Sequence, residues 1–236
     1  MLIPESYEEI ERIHTATAAQ SIRSLAITAA NEGEGVSTLA LALARRNLLA
    51  GRSTLLVDLN LYHPSLQRTL DIPTASQHET LLESPHIVTP DGGNSALTGV
   101  SAPAGRETIL RLREPGALET QISLWQQEYD TIIFDTSPLS RRNGDNIPAG
   151  RVAAACDSCL LLVLAGHTSE AAVESAVQQL ESAGAKLLGC VLNDRHNPTL
   201  KAELIRETTR LDSHLPRLSR WLRSRIEQIR LLALDV

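Results

Sequence analysis

The chain has 236 residues, 42% of them apolar and 21% charged, with a net charge of −6. This is enough for one large α/β domain or a domain with an appendage, excludes disorder as an overall description, and disfavours broad nucleic-acid binding. No apolar run approaches the roughly 20 residues of a bilayer-spanning helix, and the acidic start MLIPESYEEIERIH is unlike a signal or transit peptide, so a cytoplasmic protein is expected.

Residues 4–20 read as an acidic amphipathic helix. Residues 24–29 form a short β-prone run, followed by a glycine-bearing loop, an Ala-rich helix over 39–49, a turn at Gly51, and a strand over 53–57 that ends on Asp58. This is a βαβ unit. Pro64, Pro73, Pro85 and Pro90, with polar sequence to Pro103, predict a connecting region holding short helices at most. Helical spacing returns over 114–128, and 131–134 is an apolar strand ending on Asp135. A helix near 148–155, a wholly apolar strand over 158–165, a helix over 169–183, a strand over 186–192 and a mostly helical stretch over 199–234 complete the chain. Strands alternating with helices predict a doubly wound, mostly parallel sheet whose ligands lie at the carboxyl ends of the strands.

Residues 28–38, TAANEGEGVST, follow the first strand and open the Ala-rich helix. A phosphate-binding loop, G-x-x-x-x-G-K-[ST], wraps backbone N–H groups around phosphates and neutralises them with its lysine. Here Gly33, Glu34, Gly35, Val36, Ser37 and Thr38 retain the scaffold, but Val36 stands where the lysine belongs. Asp58 and Asp135 end two other predicted strands. An Asp in that place also caps a following helix, but together with the glycine loop the two make a nucleotide site, with Ser37, Asp58 and Asp135 as ligands of one Mg²⁺. The same loop with Asp58 also mimics a dinucleotide fingerprint of short-chain dehydrogenases. That alternative lacks its catalytic half, because no Tyr-x-x-x-Lys occurs.

The strings TAANEGEGVSTLALALA, LLVDLNLYHPSLQ and YDTIIFDTSPL, then Asp145, then the stretch from CDSCLLLVLAGHT to CVLN resemble, in order and spacing, the cytoplasmic ATP-binding domain of bacterial tyrosine kinases. Those kinases regulate capsule and exopolysaccharide export and stand within the MinD/ParA-like group of P-loop NTPases. The resemblance covers about residues 5–195. It implies ATP or ADP with Mg²⁺ as cofactors, the loop including Gly33 and Gly35 at the phosphates, Asp58 and Asp135 as the catalytic aspartates that manage Mg²⁺ with the loop hydroxyls Ser37 and Thr38, and Asn193 at the adenine.

Departures from that pattern are specific. Ala30 replaces the first loop glycine, Val36 the lysine, Asn60 the second acid of D-x-D, and Tyr62 its arginine. Asn60 can bond a metal-bound water but cannot act as a general base. The family's acceptor is a C-terminal tyrosine cluster; the tyrosines here are Tyr7, Tyr62 and Tyr129, none of them in the last 107 residues. Glu8 and Glu11 stand where the family's E-x-x-R-x-x-R oligomerisation element has arginines. The expectation is therefore a degenerate kinase-like regulator with weak or no ATP hydrolysis, against the alternative of an active ATPase or kinase using a non-standard loop. Its expected partner is a membrane-embedded polysaccharide export or synthase component, and it is expected to be a monomer or small oligomer.

The three cysteines are expected as thiols, Cys156 and Cys159 lacking the second pair a structural zinc needs. Residues 195–236 carry nine Lys/Arg and five Asp/Glu, a net +4, which leaves −10 on the rest. The expected organisation is a nucleotide-binding domain over 1–195 and a basic helical extension over 196–236. Over 217–236 an apolar stripe and five arginines fit a docked helix; peripheral contact with a membrane surface is the alternative.

Overall fold

The computed structural model describes residues 7–66, 86–88, 97–100, 103, 105–141 and 146–195, and the single positions 204, 208, 222, 225 and 226. Among the described residues the strands are β1 (Ser24–Ala29), β2 (Thr54–Leu59), β3 (His86–Val88), β4 (Leu97–Val100), β5 (Thr131–Thr136), β6 (Ser158–Leu164) and β7 (Leu187–Asn193). They form one sheet in the order β3-β4-β2-β5-β1-β6-β7. Six are parallel, and β3 pairs antiparallel to β4 at one edge. Helices whose bounds fall among the described residues are α1 (Glu8–Ala19), α2 (Val36–Leu49), α3 (Arg106–Arg113), α4 (Ala117–Trp125), α5 (Ala149–Ala155) and α6 (Glu170–Ser182).

The central strands β1, β2 and β5 are buried at every position, as parallel strands covered on both faces must be. On one face α2 buries Leu39, Leu41 and Leu43 beside Ile27, Leu56, Ile133 and Leu160, and α1 adds Ile10. On the other face Leu118, Ile122 and Trp125 of α4, Val152 of α5 and Leu180 of α6 cover Leu55, Val57, Ile132, Phe134 and Leu161. Burying each large side chain is worth about 1.5–3 kcal/mol, so the sheet is held from both sides by a double layer of such contacts. Among the described residues no helix is long and apolar enough to cross a membrane.

Three local readings are corrected. The connection expected to hold short helices at most contributes two strands. Leu97–Val100 is four residues with a glycine inside, too short to show a period, and its pairing with buried β2 makes it a strand. The helix expected over 114–128 is the shorter α4, which starts after Gly116 with its left-handed φ of 88°, and the sequence reading missed α3, which ends just before it at Arg113. The helix after the glycine loop begins at Val36, three residues before its apolar periodicity becomes visible. Cys156 and Cys159 are buried free thiols and Cys190 an exposed one; burial pushes Cys156 well above the usual thiol range and Cys159 to about 11.

The chain divides into two compact units, Met1–Asn193 and Asp194–Val236. The sheet and all candidate site residues lie in the first. The extension expected over 196–236 falls mostly outside the described residues, as does Asp145.

Candidate functional site

β1 ends at Ala29, and the chain loops through 30–35 before entering α2 at Val36. Gly33 and Gly35 take φ of 75° and 104°, a region side chains rarely adopt. At Gly35 there is a second requirement, since a Cβ would lie 2.8 Å from Asn193 Nδ2. That amide donates to the carbonyl of Glu34 at 2.8 Å, tying the loop to the end of β7. The Glu34 carboxylate is buried and accepts from Asn31 Nδ2 at 3.2 Å and from Thr168 Oγ1. The loop is thus shaped by β7 and by the turn after β6 before any ligand arrives. No side-chain cap closes the α2 N-terminus, so the helix dipole there is available to favour an anion.

The order β2-β5-β1 brings the three expected strand ends together. Asp58 and Asp135 are direct register partners across β2 and β5, and both are fully buried. Asp58 Oδ1 accepts from the N–H of Asn60 at 3.0 Å. Neither Asp135 oxygen has a hydrogen bond of normal geometry, and the Ser37 hydroxyl is the polar group beside them. Burial, and then the neighbouring Asp58 charge, push the Asp135 pKa well above the usual carboxylate range, and the Ser37 hydroxyl offsets this only in part. Two adjacent carboxylates withdrawn from water, with a serine hydroxyl beside them, form an oxygen set suited to a hard divalent cation that keeps water and phosphate as its other ligands. Ser37 Oγ accepts from Ser65 Oγ at 2.6 Å, and Thr38 sits in the first turn of α2, half-buried.

Val36 is buried within the apolar cluster on the α1–α2 face of the sheet. It brings no charge to the loop. Asn60, in the place of a second acid, accepts through Oδ1 from the N–H of His63 at 3.1 Å and so shapes its own turn. Ser137, following β5, donates to Asn146 Oδ1 at 2.9 Å.

The structure brings Gly33, Glu34, Gly35, Val36, Ser37, Thr38, Asp58, Asp135 and Asn193 to one end of the sheet. Asn193, assigned to adenine by the resemblance, has its amide on the loop backbone. Sequence reasoning missed Thr168 and Asn31, which hold Glu34, and Ser65, which bonds Ser37; none of them stands at a residue position that the loop pattern specifies. It also missed Arg141, which pairs with Glu32 on the loop and stacks on Tyr62. A cation in the run SRRNG two residues past the DTSPL string was the available signal.

A glycine loop between a parallel strand and a helix, with two aspartates at the neighbouring strand ends, defines the chain as a P-loop NTPase fold of the MinD/ParA-like kind. Solved structures agree. The kinase domain of the Escherichia coli tyrosine kinase ETK superposes with a TM-score of 0.65 at 19% identity, covering 78% of this chain and 71% of that one. The chimerical protein CapA2B2 gives 0.64 at 21%, covering 79% and 83%. Cobyrinic acid a,c-diamide synthase from Mycobacterium smegmatis, solved with an ATP analog and magnesium, gives 0.57 at 20%, covering 72% of each chain.

By sequence, the relatives of this chain are bacterial tyrosine kinases. Tyrosine-protein kinase CpsD of Streptococcus agalactiae is 28% identical over 201 residues, 80% of this chain and 82% of the relative. Tyrosine-protein kinase YwqD of Bacillus subtilis is 27% identical over 206 residues, 81% of each. Putative tyrosine-protein kinase CapB of Staphylococcus aureus is 27% identical over 199 residues, 81% of this chain and 84% of the relative. No protein-family model matches the chain.

The residues present fit a magnesium-bound nucleotide in two respects. Gly33 and Gly35 give the loop the left-handed turns that let backbone approach an anion closely, and the buried Asp135 carboxyl beside Asp58 suits a cation. The loop's own positive charge is missing.

Proposed function

We propose that this chain is a regulatory relative of the tyrosine kinases of polysaccharide export, binding Mg·ATP or Mg·ADP weakly and hydrolysing ATP slowly or not at all. The observation that carries this reading is the buried, apolar Val36 where a phosphate-binding loop has its lysine. Loss of a buried charge that pairs with phosphate costs about 2–5 kcal/mol, roughly 30-fold to several-thousand-fold in affinity. Gly33, Glu34, Gly35 and Val36 would hold the phosphates through backbone N–H groups, with the Ser37 and Thr38 hydroxyls beside them. Ser37, Asp58 and Asp135 would hold Mg²⁺, and Asn193 would meet the base. A bound magnesium ion supplies charge neutralisation at the phosphates. Any residual hydrolysis would depend on Asp58 and Asp135, because Asn60 cannot accept a proton. Regulation would pass to a protein partner, a membrane-embedded export or synthase component, from a cytoplasmic position at the inner face of the membrane.

A second reading, an active ATPase or tyrosine kinase, is favoured by the intact pairing of Asp58 with Asp135. Phosphate release from Mg·ATP by the purified chain separates the two: turnover at the rates of ordinary kinases, about 1–100 per second, would overturn the regulatory reading. Calorimetry with Mg·ATP should show weak binding by the natural chain and tighter binding by Val36→Lys. A folded Val36→Lys protein with no gain would count against the proposed site.

A further inference from the structure

Glu32 immediately precedes Gly33 in the loop, and Arg141 lies in the segment leaving β5. Arg141 Nε donates to Glu32 Oε1, and the guanidinium carbon lies 4.5 Å from the centroid of the Tyr62 ring. Tyr62 follows β2. One cation is therefore gathered at the carboxyl ends of β1, β2 and β5, the same three ends that carry the glycine loop, Asp58 and Asp135. The stem of Arg141 is set by backbone bonds independent of the ion pair, since Leu139 N–H donates to the Ala29 carbonyl at 2.9 Å and Ser140 N–H to that of Ala30 at 3.1 Å.

The pair is also easy to exchange. The side chains of Arg141 and Glu32 are 45% and 34% exposed, and ion pairs this open to water contribute little. A guanidinium bonds a polyphosphate through two or more charge-assisted hydrogen bonds, a better partner than one half-exposed carboxylate.

We propose that Arg141 supplies the phosphate-binding cation that Val36 lacks. Glu32 holds its place in the absence of ligand, the phosphates of a nucleoside di- or triphosphate displace that carboxylate, and the face of Tyr62 orients the guanidinium. This assignment rests on the nucleotide reading above and names the residue on which the remaining affinity depends.

Calorimetry with Mg·ATP on the natural chain, Arg141→Gln, Arg141→Lys, Glu32→Gln, Val36→Lys and Val36→Lys/Arg141→Gln tests it, with thermal melts confirming that each is folded. Arg141→Gln should weaken binding roughly tenfold or more, Arg141→Lys should lose less, and Glu32→Gln should tighten binding because the competing carboxylate is gone. In the Val36→Lys background the loss from Arg141→Gln should shrink. Equal affinity of the natural chain and Arg141→Gln, or a loss in Glu32→Gln as large as that in Arg141→Gln, would overturn the assignment. Should Val36→Lys bind Mg·ATP tightly while Arg141→Gln has no effect in either background, the nucleotide site stands and the role of Arg141 falls. Should no variant bind, Val36→Lys included, both readings fall together.

Discussion

Asp135 sets the pH behaviour of the site. It is fully buried beside Asp58, and its folded-state pKa is raised, first by burial and then by the Asp58 charge, against a smaller lowering by the Ser37 hydroxyl. In acid, the folded and unfolded chains both carry the proton, and the group does not affect stability. Above the ordinary carboxylate value the unfolded chain loses that proton while folded Asp135 keeps it, so stability falls as pH rises, until pH passes the raised value and the decline stops. Metal-free melts followed by circular dichroism should therefore show Asp135→Asn gaining on the natural chain as pH rises above the ordinary carboxylate value of about 4. Magnesium, by stabilising the ionised pair, should raise the melting temperature of the natural chain and leave that of Asp135→Asn unchanged. A variant that melts lower than the natural chain at every pH above that value would show that the pair is not repulsive.

Between elements, the docking of α1 on α2 explains a departure from the kinase pattern. Ile10 is 2% exposed within the α2 cluster. Glu11 receives a two-pronged bond from Arg46 of α2, and His14 Nδ1 meets Asn47 Oδ1 at 2.8 Å. That bond, more than charge alone, lowers the Glu11 pKa and raises that of Arg46. Glu11, where the related kinases are expected to carry an arginine for association, is engaged within its own chain. Ile10→Ala should cost about 2–4 kcal/mol, visible as a melting temperature lower by roughly 2–4 °C per kcal/mol. Glu11→Gln should cost clearly less than Ile10→Ala, because the pair is partly solvated. A Glu11 variant as damaging as the Ile10 variant in urea titrations would mean that the ion pair, rather than apolar burial, fastens α1.

For the whole molecule the governing quantities are charge and nucleotide affinity. An acidic body followed by a basic stretch permits charge-assisted contact with other surfaces, but Glu8 and Glu11 do not supply the arginine-based association expected of the related kinases. A chain that binds ATP weakly should not use ATP to choose its oligomeric state. Light scattering should give the same mass, that of a monomer or small oligomer, with and without Mg·ATP. A mass doubling on adding Mg·ATP would contradict the regulatory reading and favour a working switch. Variants truncated before residue 217 then test the extension: loss of solubility supports a docked helix, and loss of binding to anionic vesicles by a stable protein supports membrane contact.

The sequence by itself determined the alternation of strands and helices, the loop at 28–38, and the placement of Asp58 and Asp135 after apolar runs, because apolar period and turn residues act over a few neighbouring positions. The missing lysine was legible for the same reason: one residue stands at one place in a short pattern. The four-residue β4 became a strand only through pairing with β2, and the register that sets Asp58 against Asp135 belongs to the sheet, not to either strand. Tertiary structure alone decided that Asn193, 158 positions beyond Gly35, lies where only a glycine leaves room for it. It also placed Arg141 against Glu32 and Tyr62. Such contacts join segments far apart in the chain, and their geometry is set by the packing of the elements between them, which no local spacing encodes.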